Sequence, residues 1–322
     1  DMLARAGVGH LVIVDRDFIE LTNLQRQVLF DEQDVADAIP KAEAARRKLA
    51  RINSQVEVTA IVDDINHRNI EKFAAGADIL VDGLDNFETR YLANDCAVKY
   101  GLPYIYGGAV GTVGAAFAIL PHTKDGDAPW EEGPSGNRAT PCLRCIFEQA
   151  PPPGLNPTCE TAGVLGPVVS IIANFEAAQA LKVLTGNLDR VSPTMLNVDL
   201  WTNSIHQLKL GRAYAEGDCQ CCKHRNFEYL DGKAGSSATT LCGSNSVQLT
   251  HKQSEGHMDF EALGARLRRH GKVSANRFMV RAELTDNGKP YELTIFSDGR
   301  AIVKGTREGN VARSVYAKYV GA

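Results

Sequence analysis

Over the first two-thirds of the chain, short apolar runs alternate with stretches of helical spacing. Residues 11–14, Leu-Val-Ile-Val, form a β-branched run that reads as a buried parallel strand. Residues 41–52 place apolar residues and alanines at helical spacing, with Pro40 at a start position. Residues 56–62 alternate like a strand, 65–75 are helical in character, and 79–81 are another short buried strand. Residues 103–108 and 114–120 read as strands, 166–184 as an apolar helix ending at Gly186, and 197–199 and 205–210 as strands. Strand and helix in regular succession predict an α/β fold with a Rossmann-like, mostly parallel sheet and helices on both faces. Residues 2–9 look like the last turns of a helix capped by glycine. A Rossmann unit has a strand and a Gly-rich turn before that helix. The expectation is therefore a chain truncated at its N-terminus, without its first strand and glycine loop.

Residues 121–141 have no periodicity, and loops of that length are usually functional lids or disordered. Composition shifts at residues 231–240, rich in Gly, Ser, Ala and Thr. Beyond it Phe260, Leu263 and Leu267 make a helical stripe, and Phe278, Val280, Ala282 and Leu284 alternate as a strand. Asp286-Asn287-Gly288 and Asp298-Gly299 are hairpin turn signals, and Val311, Val315 and Tyr319 mark a closing helix. Two domains are expected, residues 1–225 and a small α+β domain at 226–322.

Charge narrows the partners. The net charge is −4 over 322 residues, so no basic field points to nucleic acid or a membrane surface. Arg46-Arg47-Lys48 and the arginines between 266 and 269 read as solvated helix faces, and no apolar run is expected to reach the length of a spanning helix. Eight cysteines in a long chain do not suit a small disulfide scaffold. Four of them form two Cys-x-x-Cys pairs, Cys142/Cys145 and Cys219/Cys222, which point to a metal and a reducing, cytoplasmic compartment. Four thiolates suit tetrahedral Zn2+ with no open position, a structural clamp on two segments. Cys221 is an alternative to Cys222 as ligand, and unmetallated thiols or a redox pair are the alternative to a metal.

Asp15 ends the first strand, where dinucleotide-binding folds hold a ribose hydroxyl. Asn23, Gln25 and Arg26 follow, side chains able to grip phosphate oxygens. Asp82, Asp85, Asn86 and Arg90 follow the strand at 79–81, and carboxylates there suit Mg2+, which takes oxygen ligands. Asn86 equally suits a helix cap. Cys159 precedes Glu160-Thr161-Ala162-Gly163 and an apolar helix, where a helix N-terminus favours thiolate, a buried inert cysteine being the alternative.

The stretch Asn23-Leu24-Gln25-Arg26-Gln27, eight residues after Asp15, resembles the ThiF/MoeB/HesA family of ubiquitin-activating-like adenylyltransferases. Asp85-Asn86-Phe87-Glu88-Thr89-Arg90 and the two Cys-x-x-Cys pairs resemble the family's motifs in the same order, from Asp15 to Cys222. The resemblance implies ATP-dependent adenylation of the C-terminal carboxylate of a ubiquitin-like sulfur-carrier protein ending in Gly-Gly, of thiamine or molybdopterin type, with release of pyrophosphate. It implies ATP contacts from Asp15, Asn23, Arg26, Lys41, Asp85 and Asn86. Within that set Arg26 and Lys41 act on the phosphates and Asp85 is the magnesium-linked acid. It also pairs the four cysteines as zinc ligands and makes Cys159 the residue that accepts sulfur or forms a thioester. Relatives are commonly homodimers, and a sulfurtransferase or cysteine desulfurase is a further expected partner. Other readings are adenylation of a small molecule or tRNA base, a non-catalytic partner subunit, or an NAD(P) dehydrogenase. The last leaves Asn23-Leu24-Gln25-Arg26 unexplained.

Overall fold

The computed structural model describes residues 1–126, 128, 130–131, 137–148, 163–234, 240–241, 245–249, 259–286, 288–297 and 300–320. The chain divides into two compact units, Asp1–Gly235 and Ser236–Ala322.

The first unit runs α1 (Met2–Arg5), β1 (His10–Val14), α2 (Glu32–Ala36), α3 (Lys41–Ile52), β2 (Glu57–Ile61), α4 (Ile70–Ala74), β3 (Leu80–Val81) and α5 (Phe87–Tyr100). It continues with β4 (Tyr104–Val110), β5 (Val113–Ile119), α6 (Leu143–Ile146), α7 (Gly166–Leu184), β6 (Thr194–Asp199), β7 (Ser204–Lys209) and α8 (Gly211–Glu216). Strand β1 pairs with β2 in parallel, Val12 opposite Thr59, and α3 packs on β2. A second sheet has the order β3-β4-β5-β6-β7, in which only β3 and β4 are parallel. From β4 onward the pairing is antiparallel, more than the strand–helix succession implies. The reason is local: Val110 pairs with Val113, so β4 and β5 are joined by Gly111 and Thr112 alone. A parallel crossover needs about a dozen residues or more.

Helices do cover both faces of this sheet. Alternation along β4 sends Tyr104 and Tyr106 to a core shared with Tyr91, Leu92 and Cys96 of α5, while Ile105 joins Ala180 of α7 on the opposite side. Helix α7 lies close because β4 and β5 offer it glycines. A Cβ on Gly107 would stand 2.3 Å from the Glu176 carboxyl, and one on Gly114 would stand 2.5 Å from Ile172. Contrary to expectation, α7 is long and apolar enough to cross a membrane by length and composition. Its place against β4 and β5, with Glu176 and Gln179 buried, is that of a core helix. The helix expected at 65–75 shrinks to α4, because Asn69 Nδ2 donates to the Asp64 carbonyl and its Oδ1 accepts from Asn66 N–H, closing a turn instead. Residues 226–234 stay with the first unit: Tyr229 and Leu230 N–H groups donate to the buried Asp95 carboxylate of α5.

The second unit contains β8 (Thr240–Leu241), β9 (Ser246–Leu249), α9 (Phe260–Leu267), β10 (Gly271–Ala275), β11 (Met279–Asp286), β12 (Lys289–Phe296), β13 (Ala301–Lys304) and α10 (Gly309–Tyr319). Its antiparallel sheet has the order β10-β11-β12-β13-β9-β8. Val280, Ala282, Leu284, Leu293, Ile295 and Val303 face Leu263 and Leu267 of α9 and Val315 of α10. Asp286 pairs with Lys289, so the expected tight hairpin is present, with Gly288 at positive φ. The Asp298-Gly299 signal lies outside the described residues.

Candidate functional site

The chain leaving β1 doubles back on itself. Asp15 Oδ1 accepts the Asp17 N–H at 2.8 Å, and the Asp17 carbonyl accepts the Lys41 N–H at 2.9 Å, fastening the start of α3 to the end of β1. The Lys41 ammonium then donates to Asp17 Oδ2 at 3.1 Å. Arg16 is drawn aside to Asp64, 2.6 Å away. Burial pushes the Asp15 carboxyl up to about 6, opposed by the Lys41 charge and reinforced by Asp17 and Asp85. Burial works against the Lys41 ammonium, but Asp17, Asp15 and Asp85 more than offset it and its pKa is raised. Asp15, Lys41 and the exposed Asp85, far apart in sequence, therefore share one electrostatic cluster, with Asp17 as a fourth member. Sequence reading missed Asp17. The signal was an acid two residues after Asp15 in extended chain, on the same side.

The polar loop that follows is tied to itself and to α7. Residues Leu21–Asn23 form a 3₁₀ turn whose entry Glu20 N–H donates to Oδ1 of the buried Asn23 at 3.1 Å. Arg26 is half-buried and its guanidinium donates to the Thr22 carbonyl at 2.9 Å. Gln25 Nε2 donates to the Val164 carbonyl at 3.2 Å, and a Cβ on Gly166 would stand 2.3 Å from the Gln25 carbonyl oxygen. Asn23 thus closes the turn that presents Arg26, rather than sharing the Asp15–Lys41 cluster.

After β3, Asn86 caps α5 by accepting the Thr89 N–H at 2.9 Å, and its amide nitrogen donates to Asp85 Oδ1 at 3.2 Å. Asp82 and Arg90 are turned inward. Arg90 Nε donates to Asp82 Oδ2 at 3.1 Å, and its terminal nitrogen donates to the carbonyls of Leu84 and Gly107. Tyr104 Oη donates to the same Asp82 oxygen at 2.7 Å. This buried pair shapes the turn that carries Asp85. Beneath it lies Glu176, whose carboxyl is held far above the usual range by burial and by Asp82, with Arg90 only partly compensating.

The four cysteines converge. Cys142 Sγ is 3.8 Å from Cys145 Sγ and 3.6 Å from Cys219 Sγ, and Cys145 Sγ is 3.3 Å from Cys222 Sγ. All four sulfurs lie within 4.8 Å of one another. Around a tetrahedral zinc with bonds of about 2.3 Å, sulfurs stand about 3.8 Å apart, so the donor set fits a closed site. Cys222, not Cys221, completes the set. Cys221 Sγ instead accepts from Asn94 Nδ2 at 3.3 Å. Cys159 lies outside the described residues.

Fold and site together define an α/β protein with an acid–lysine cluster at the strand ends and a four-cysteine clamp. The chain belongs to the ThiF family, which it matches over residues 1–221. It is 38% identical over 322 residues to the sulfur carrier protein ThiS adenylyltransferase of Bacillus subtilis, covering 100% of this chain and 88% of that protein. The similarity therefore extends through the second unit. It is 37% identical over 210 residues to the sulfur carrier protein adenylyltransferase of Thermus thermophilus, covering 65% of this chain and 73% of that protein. Among solved structures, MccB of E. coli with ATP is similar with a TM-score of 0.50 and 26% identity, covering 69% of this chain and 61% of that one.

Proposed function

We propose that this protein is the adenylyltransferase of a small ubiquitin-like sulfur-carrier protein ending in Gly-Gly. The observation that carries the reading is the convergence of Asp15, Asp17, Lys41 and Asp85 at the strand ends, in a chain similar along its whole length to a ThiS adenylyltransferase. In this reading ATP lies across the ends of β1 and β3, with its ribose on Asp15. A carboxylate oxygen of the carrier's terminal glycine attacks the α-phosphorus. The bond from that phosphorus to the bridging oxygen of the β-phosphate breaks, giving an acyl-adenylate and pyrophosphate. Lys41, and Arg26 once it releases the Thr22 carbonyl, neutralise charge as it builds on the phosphates, the fixed electrostatic work of phosphate chemistry. The carboxylate of Asp85 is a hard oxygen donor and would hold Mg2+, which adds charge neutralisation when bound. Zinc on Cys142, Cys145, Cys219 and Cys222 would be structural, with no ligand position left for substrate.

Cys159 is the residue proposed to take part in sulfur transfer, with a sulfurtransferase or cysteine desulfurase as donor, in a cytoplasmic homodimer. The test is ATP–pyrophosphate exchange in the presence of a Gly-Gly-ended carrier. Exchange that requires the carrier and collapses in Asp85→Ala supports the reading. ATP binding without exchange redirects it to a small-molecule substrate or a partner subunit.

A further inference from the structure

A fifth cysteine lies in the second knuckle of a site that a tetrahedral ion fills with four sulfurs. Cys221 sits between the ligands Cys219 and Cys222 in sequence and is fully buried, its sulfur 3.3 Å from Asn94 Nδ2. We propose that Asn94 selects the ligand set, holding Cys221 out of the first shell while fixing the first cysteine knuckle in place. The inference rests on the four-thiolate reading above.

Asn94 lies on α5 and is fully buried. Its Oδ1 accepts the N–H of Leu143 at 2.8 Å, inside the knuckle Cys142-Leu143-Arg144-Cys145. A backbone N–H can only donate, so this contact fixes the amide's orientation and turns Nδ2 toward the Cys221 sulfur, 3.3 Å away. One side chain therefore grips both halves of a clamp whose cysteine pairs lie 77 residues apart. Its anchor, α5, is rigidly seated: nine of its residues, from Arg90 to Val98, are buried. A buried amide that lost both partners would pay its desolvation in full, so the arrangement is held from both sides. With its sulfur engaged by Asn94, Cys221 would have to break a buried hydrogen bond to reach the metal. Cys222 faces Cys145 at 3.3 Å and has no such tie to α5 among the described contacts.

The test is cobalt substitution in the full chain, reading the sulfur-to-cobalt charge-transfer bands and the rate of metal release to a chelator. Cys221→Ser is expected to keep the four-sulfur spectrum, and Cys222→Ser to lose one sulfur. Asn94→Asp keeps an acceptor for Leu143 but no donor for Cys221, and is expected to release metal about 10- to 100-fold faster, the usual effect of losing an outer-shell partner. Cys222→Ser combined with Asn94→Ala is expected to regain a fourth sulfur from the freed Cys221. Loss of a sulfur in Cys221→Ser, or release at the wild-type rate in Asn94→Asp, would overturn the role of Asn94. A wild-type protein that takes up no cobalt would bring down the four-thiolate reading itself, and the inference with it.

Discussion

Burial holds the Glu176 carboxyl well above the ordinary glutamate range, and this makes stability depend on pH in a definite direction. It is 5% exposed on α7, and among the described residues its Oε1 has no hydrogen-bond partner. The nearby guanidinium of Arg90 is already engaged by Asp82 and by two carbonyls, so two carboxyls compete for one cation. Burial, then Asp82, raise the Glu176 pKa well above the ordinary glutamate value, and Arg90 only partly opposes them. In the unfolded chain the group titrates at about 4.3. Above that pH the folded state holds a proton that the unfolded state has lost, so stability falls as pH rises, by up to about 1.4 kcal/mol per unit. The loss begins near the unfolded pKa and continues until the folded group itself ionises. Glu176→Gln removes the titration and keeps the shape. The assay is urea unfolding followed by tryptophan fluorescence between pH 5 and 8, which reports the first unit because both tryptophans, Trp130 and Trp201, lie there. Asp15, pushed up to about 6, titrates in both proteins and drops out of the difference. The stability of Glu176→Gln relative to wild type is expected to climb steadily with pH. A flat difference, or one that falls, would refute the protonated assignment.

Other outcomes follow from the same geometry. Gly107→Ala drives a Cβ to 2.3 Å from the Glu176 carboxyl and is expected to cost about 1–3 kcal/mol by overpacking, with much of the loss recovered in Glu176→Ala, as a double-mutant cycle by urea unfolding would show. Lys41→Met is expected to lower carrier-dependent pyrophosphate exchange by about 100-fold or more while leaving the thermal midpoint near that of wild type. Asn86→Ala removes the cap of α5 and is expected to cost about 1 kcal/mol in chemical unfolding. Chelation of the four-cysteine site is expected to lower the thermal midpoint of the tryptophan-reported unit, and zinc to restore it.

The helix at Lys41–Ile52 and the strands around it were legible because their apolar residues recur at a clean period. The antiparallel turn of the sheet was not, since it depends on a two-residue link at Gly111–Thr112 whose neighbours look like any buried strand. Helix α5 has buried residues all round and no apolar stripe, so Asn94 and Asp95 read as ordinary helix surface until the cysteine lobe is seen packed against them. Strands such as Gly271–Ala275 also escaped, because Lys272 and Ser274 face the open side and leave only Val273 as an apolar mark. At the site, Asp15, Asp85 and the cysteine pairs were visible as chemistry at strand ends or at metal spacing, and Lys41 only through the family resemblance. Asn86 resolved to the cap that its position equally allowed. Asp17 and Glu176 were invisible for opposite reasons: one looked like loop charge, and the other sat in a helix whose period says nothing about a buried acid.

The most direct measurement is the intact mass of a Gly-Gly-ended carrier after incubation with this protein, ATP and pyrophosphatase. Adenylation at the strand-end cluster predicts a carrier species heavier by one AMP moiety, formed only with ATP and missing in the Asp85→Ala and Lys41→Met proteins. An unmodified carrier alongside demonstrable ATP binding, or an adduct that forms equally well in both variants, would contradict the assignment.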